Sequence, residues 1–202
     1  MGIRVVIADD YPMIRRSLCR FLESCAGIEV VGQAEHGKAA IECCLEVRPD
    51  IAIVDLNMPV MNGIEATHQI TQQGHRVKVV AASAEPDLLS VTQMLTAGAS
   101  GYVLKDYIVE ELVNAVHTVV KGGTFLSAEI IRETIAALRE AGESLTGREE
   151  AMFRGLAEGR CIDEVARDLC LESNTFREMR QNIVCRFAIS GFGDFAKCLF
   201  SR

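Results

Sequence analysis

The chain has 202 residues and a formal net charge of −7, with 49% hydrophobic and 24% charged residues and no Trp. That balance excludes a disordered tail, a fibre and a wholly basic nucleic-acid coat, and the length admits one large domain or two small ones. No apolar run approaches the ~18 residues that a membrane span needs, and the opening Met1-Gly2-Ile3-Arg4-Val5-Val6-Ile7-Ala8-Asp9-Asp10 meets two acids too early for a signal peptide. A cytoplasmic protein without membrane partners is expected.

Apolar, β-branched runs recur at Arg4–Ala8, Glu29–Gly32, Ile51–Asp55, Val77–Ala82 and Gly101–Leu104. Amphipathic stretches lie between and after them, near 12–25, 38–47, 63–73, 87–97 and 107–121. Strands that are short and almost continuously apolar are buried on both faces. Five strand–helix repeats of this kind predict a doubly wound, five-stranded parallel α/β sheet over residues 1–122. From Ser127 to Ala141 the spacing of Ile130, Ile131, Ile135, Ala136 and Leu138 predicts a helical connector within 123–144, with a hinge near Gly142. Residues 145–202 read as entirely helical, with helices near 147–158, 162–169, 173–187 and 192–200. Thr146 and Glu149 have the spacing of a capping box at the first of these. The three segments carry net charges of −5, −2 and zero, so the acidity lies in the first module and the connector.

The eight cysteines, at 19, 25, 43, 44, 161, 170, 185 and 198, include no C-x-x-C pair. In a chain long enough to build its own core they are expected as small buried or half-buried thiols. The histidines at 36, 68, 75 and 117 lack metal-ligand spacing, so no zinc site is expected.

In an open parallel sheet, functional groups collect at the carboxyl ends of the strands. Asp9 and Asp10 close the first strand and Asp55 closes the third. With the doubly wound order 2-1-3-4-5 these strands are neighbours and the three carboxylates converge. Two unit charges ~4 Å apart repel by roughly 4 kcal/mol at an effective dielectric of 20. A retained proton, a hard divalent cation such as Mg²⁺, or a nearby ammonium can offset this. Lys105, just after the fifth strand, lies at the same end. Acids, Mg²⁺ and a lysine together make a seat for a phosphoryl group that a carboxylate oxygen can attack.

These residues resemble a known family. Asp9-Asp10, the run Asp55-Leu56-Asn57-Met58-Pro59-Val60-Met61-Asn62-Gly63, the lone Ser83 and Gly101-Tyr102-Val103-Leu104-Lys105 look like the landmarks of a response-regulator receiver domain with a flavodoxin-like fold. The resemblance implies that Asp55 is the phospho-acceptor. It implies Mg²⁺ on Asp9, Asp10, Asp55 and the Asn57 carbonyl, with Lys105 and Ser83 on the phosphoryl oxygens. Ser83 and Tyr102 become the switch pair, the ring turning inward as the hydroxyl moves. Pro59 and Gly63 shape the loop after Asp55, Gly63 through its tolerance of positive φ. Asp106 stands where many receivers carry proline.

Residues 145–202 resemble a LuxR-type helix-turn-helix, through Leu145-Thr146-x-Arg148-Glu149, Gly159, Glu164-Val165-Ala166-x-x-Leu169, Ser173-Asn174-Thr175 and Asn182-Ile183. The whole chain thereby resembles the NarL/FixJ response regulators. The resemblance implies a sensor histidine kinase as phosphodonor, a homodimer on activation, and a module that binds promoter DNA through its third helix. Thr175, Arg177, Glu178, Arg180, Gln181 and Asn182 are the candidate DNA-facing residues. The sequence departs from the family at Phe176-Arg177-Glu178-Met179, and 145–172 carries −3 against +3 for 173–202. A protein-docking module in place of a DNA-binding one is therefore a second expectation. An enzyme of the phosphatase type is not expected, because no separate acid/base group or cap insertion follows the first strand.

Overall fold

A computed structural model describes residues 2–73, 77–140, 145–158, 160 and 162–171. Its elements run β1 (Ile3–Ala8), α1 (Pro12–Ser24), β2 (Ile28–Ala34), α2 (Gly37–Val47), β3 (Ile51–Asp55), α3 (Gly63–Gln72), β4 (Lys78–Ser83), α4 (Leu88–Thr96), β5 (Gly101–Leu104), a 3₁₀ turn (Lys105–Tyr107), α5 (Ile108–Val120), β6 (Phe125–Leu126), α6 (Ala128–Glu140), α7 (Gly147–Ala157) and α8 (Ile162–Asp168). All strands pair in parallel, in the order β2-β1-β3-β4-β5-β6.

The period-2 alternation of a strand divides the core into two layers. Val5, Ile7, Ile51, Ile53, Val80, Ala82 and Val103 face α1 and α5, where Leu18, Leu22, Leu112, Val116 and Val119 close over them. Val6, Ala8, Ala52, Val54, Val79, Ala81 and Leu104 face the other way, toward Ala40, Ile41, Ala66, Ile70, Val91 and Met94 of α2, α3 and α4. Burial on both faces is the reason these strands lack polar positions.

The sheet has one strand more than the five read from the sequence. Phe125-Leu126 adds to the free edge of β5, with Phe125 N–H bonded to Ser100 O at 3.1 Å and Ser127 N–H to Tyr102 O at 2.9 Å. Two residues are too few to show a strand period, so the connector reads as helix only. That strand brings α6 onto the second face, where Ile130 and Ile131 join a cluster with Met152 and Phe153 of α7 and Val165 of α8.

The helix starts follow local chemistry. His36, Asn62 and Asp87 cap α2, α3 and α4 by accepting from the N–H groups of Ala39, Glu65 and Ser90. The capping box at α7 is present: Thr146 N–H donates to Glu149 Oε2 at 2.6 Å, and Glu149 N–H to Thr146 Oγ1 at 3.4 Å. Among the described cysteines, Cys19 and Cys44 are buried, Cys25 and Cys43 half-buried and Cys170 exposed, all as free thiols. The expected hinge near Gly142, the expected helices at 173–187 and 192–200, and Cys161, Cys185 and Cys198 lie outside the described residues.

Candidate functional site

β1 and β3 pair from Val5↔Ile51 to Ala8↔Val54, so the next residues, Asp9 and Asp55, stand side by side at the carboxyl edge of the sheet. One carboxylate oxygen from each of Asp9, Asp10 and Asp55 lies within 4.8 Å of the others. Asp9 and Asp55 are buried and Asp10 is half-buried. Lys105, the first residue after β5, reaches back across the end of β4. Its Nζ stands 2.8 Å from Asp9 Oδ2 and 2.9 Å from Asp55 Oδ1. The convergence expected from the sequence is present, and the ammonium occupies it.

The carboxylates differ in how fully they are satisfied. Asp9 Oδ1 accepts from Tyr11 N–H at 2.8 Å and Oδ2 from Lys105, while the Asp9 carbonyl accepts from Arg15 Nη1. Asp10 Oδ1 is buried and has no hydrogen-bond partner among the described residues. An orphaned buried carboxylate oxygen beside two further carboxylates is a donor set that suits a hard, oxygen-seeking divalent cation. Asp9, Asp10 and Asp55 therefore form a group that could hold such a cation. Asn57, whose carbonyl the family resemblance implies as a further ligand, is exposed on the loop two residues beyond Asp55.

Protonation follows from the same geometry. Burial pushes the Asp55 carboxyl above its ordinary range, the Asp9 and Asp10 charges add to that, and Lys105 offsets only part of it. Burial alone would lower Lys105, but its hydrogen bonds and ion pairs with Asp9 and Asp55 hold the ammonium above its ordinary range. The result is a charged lysine clamped on a carboxylate whose ionised form burial disfavours.

Ser83 ends β4 and Tyr102 lies in β5, two register steps from it: Ser83 pairs with Leu104 and Ala81 with Tyr102. Both are buried, and the Tyr102 ring is turned wholly inward. They share a partner that the sequence did not single out. Glu85 N–H donates to Ser83 Oγ at 3.1 Å, and Tyr102 OH donates to the Glu85 carbonyl at 3.1 Å. Glu85 acts here through its backbone, so its side-chain identity carries no signal of the role.

Gly63 shapes the loop after Asp55 for a different reason from the one expected. Its φ is not positive, and Val60 takes the left-handed conformation instead, at φ 68°. What Gly63 provides is room: a Cβ there would lie 2.1 Å from the Asp55 carbonyl oxygen. Thr175, Arg177, Glu178, Arg180, Gln181 and Asn182, the candidate DNA-facing residues, lie outside the described residues.

Comparison with known proteins bears on the whole chain. Residues 5–117 match the response regulator receiver domain. The chain is 32% identical over 194 residues to the transcriptional regulatory protein LiaR of Bacillus subtilis, covering 93% of this chain and 92% of that one. It is 27% identical over 195 residues to the response regulator UvrY of Escherichia coli K12, covering 94% and 89%. Among solved structures, a LuxR-family two-component response regulator from Aurantimonas sp. superposes with a TM-score of 0.64 at 31% identity, over 69% of this chain and 99% of that one. A structure of RcsB dimers on DNA shares the fold over 98% of this chain and 96% of its own, with a TM-score of 0.62 at 24% identity.

Proposed function

The chain belongs to the response-regulator receiver family, among transcriptional regulators of the NarL/LuxR type, and we propose that it works as a phosphorylation-dependent switch of transcription. Residues 1–122 form the receiver, 123–144 the connector and 145–202 a helix-turn-helix module that binds promoter DNA as a homodimer. The phosphodonor is a sensor histidine kinase or a small phosphate anhydride, and the regulator acts in the cytoplasm. Among the described residues no helix is long and apolar enough to cross a membrane.

The observation that carries this reading is the pairing of Lys105 with both Asp9 and Asp55 beside the unpartnered Asp10 oxygen. Asp55 supplies the nucleophile. Its carboxylate oxygen forms the new bond to phosphorus as the donor's P–N or P–O bond breaks, and the leaving group takes its proton from water. Lys105 then exchanges its contact with Asp55 for one with a phosphoryl oxygen, keeping Asp9 as its second partner. The Ser83 hydroxyl, one strand away, turns from Glu85 to another phosphoryl oxygen. Mg²⁺, held by Asp10, Asp55, the Asn57 carbonyl and Asp9 directly or through water, would supply charge neutralisation on the phosphoryl oxygens. When Ser83 leaves Glu85, the loop that also holds the Tyr102 hydroxyl is released, and the β4–α4 and β5 surface changes shape.

The test is treatment of the full chain with acetyl phosphate and Mg²⁺, read by intact mass and by oligomer size. Wild type gains one phosphoryl group and shifts toward dimer, and Asp55→Asn does neither. A wild type that gains no mass removes the acceptor role. DNA binding is tested separately with a palindromic promoter fragment: affinity falls steeply with salt and is lost in Arg177→Ala plus Arg180→Ala. The net charge of −3 over 145–172 favours a second reading, in which the module docks a protein. Recovery of a specific protein with no enriched DNA selects that reading.

A further inference from the structure

Ser127 stands at the corner where β6 turns into α6, and it is completely buried. Its N–H extends the parallel ladder to the Tyr102 carbonyl at 2.9 Å, and its own carbonyl accepts from Ile131 N–H at 3.3 Å as the first helical bond of α6. The next rung of a parallel ladder would need that same carbonyl. The Leu104 N–H goes instead to the Ser127 hydroxyl oxygen, 2.8 Å away in the protein interior. A serine at a helix start ordinarily turns its oxygen onto the amides of the first turn. Here the oxygen is engaged by β5, and the cap comes from another helix. Glu111 of α5 accepts from the Ser127 hydroxyl with one carboxylate oxygen and from Ala128 N–H with the other, the latter at 3.2 Å. One carboxylate and one hydroxyl thus join the end of β5, the first turn of α5 and the first turn of α6.

Leu104 immediately precedes the lysine that bridges Asp9 and Asp55. We propose that Ser127, held by Glu111, is a positioning residue for Lys105, and that it passes displacement of that lysine to the start of α6. The proposal rests on the acceptor role of Asp55 given above. When Lys105 exchanges a carboxylate for a phosphoryl oxygen its backbone shifts, and the Leu104 amide shifts with it. A buried amide left without an acceptor is costly, so the Ser127 hydroxyl follows. Glu111 has a second bond to Ala128 N–H, and the helix start moves with the carboxylate. α6 carries the displacement onward, because Ile130 and Ile131 share a packed cluster with Met152 and Phe153 of α7, and Arg139 pairs with Glu150 at 3.2 Å.

The experiment compares wild type, Ser127→Ala and Glu111→Gln as full chains. Each is loaded with acetyl phosphate and Mg²⁺, and two quantities are followed: the rate of mass gain at Asp55, and amide hydrogen exchange over 125–135 before and after loading. Ser127→Ala slows loading about tenfold, the low end of what loss of an outer hydrogen-bond partner costs. It also abolishes the change in exchange that loading causes in α6. Glu111→Gln keeps an acceptor oxygen and lies between, and it carries the test if Ser127→Ala does not fold by circular dichroism. Loading rates equal to wild type, with the α6 response intact in both variants, overturn the proposal. If wild type gains no mass, the acceptor role alone has failed, and a cycle of Lys105→Met with Ser127→Ala in the unmodified protein decides the inference. Non-additive exchange at Leu104 and Ala128 sustains it, and additive exchange overturns it.

Discussion

Tyr102 and Ser83 share a backbone partner, Glu85. The tyrosine hydroxyl donates to the Glu85 carbonyl at 3.1 Å, while the Glu85 N–H donates to Ser83 Oγ at 3.1 Å. The ring is fully buried, and burial pushes the phenol up to about 12. Ionisation is thus disfavoured in the folded state relative to the unfolded one. Stability is complete below the ordinary tyrosine range near pH ~10 and is lost progressively as pH rises toward about 12. Tyr102→Phe keeps the ring, removes the titrating group and flattens this alkaline loss, as thermal melts against pH will show. An unchanged alkaline slope in the variant would contradict the assignment.

The acid trio predicts a stabilising cation. Asp55 is pushed up by burial and by its acidic neighbours, so its charged form is the one the fold disfavours. Without metal, stability is greatest where Asp55 is protonated and declines as pH rises through its elevated pKa. Mg²⁺ at about 100 times its Kd adds about 2.7 kcal/mol, and chelation removes this. Asp10→Asn loses most of the increment, because the unpartnered Asp10 oxygen is where the cation has least competition. Melting temperature against Mg²⁺ concentration, for both proteins, measures it. Equal Mg²⁺ responses would sink the assignment.

Gly63→Ala is a test of close approach. The new Cβ would sit 2.1 Å from the Asp55 carbonyl oxygen and 3.0 Å from Leu56 Cα, both backbone. Neither can rotate away, so the loop behind Asp55 must shift, at a cost of about 1–3 kcal/mol. Denaturant unfolding gives the loss, and phosphoryl loading slows in parallel because the displaced atom belongs to Asp55. A variant as stable as wild type would show that the loop yields freely.

Asp87 caps α4, its Oδ1 accepting from Ser90 N–H at 2.9 Å. Slight burial pushes its carboxyl up, but hydrogen bonds from Ser90 and Leu89 outweigh this and hold it below the ordinary range. The cap is therefore fully present above the unfolded carboxylate pKa and is lost as pH falls through the lower, folded value. Asp87→Ala costs about 1 kcal/mol at neutral pH, and the difference from wild type shrinks in acid. Urea midpoints at two pH values suffice. A difference that grows in acid would contradict the cap.

Much of the receiver was legible in its residues. Buried strands announce themselves by continuous β-branched runs, and acids after the first and third of them have nowhere to go but the same edge once those strands pair. Thr146 and Glu149 were readable for a similar reason, since a capping box is closed by atoms three residues apart. Asp9, Asp55 and Lys105 were legible as a set because charged side chains at strand ends leave a signature in the letters themselves.

What the letters could not contain was anything carried by backbone atoms or by distant packing. The part played by Glu85 lies in its N–H and carbonyl, which every residue but proline shares. β6 is two residues long, shorter than any period, and exists because β5 has a free edge beside it. Gly63 could be identified as necessary, but only the approach of the Asp55 carbonyl shows that space, not backbone angle, is what it supplies. Ser127 reads as the start of a helix, and its bonds to Leu104 and Glu111 depend on three elements meeting at one corner. Local chemistry is written along the chain, whereas contacts between residues far apart in it arise only when the packed sheet brings them within reach.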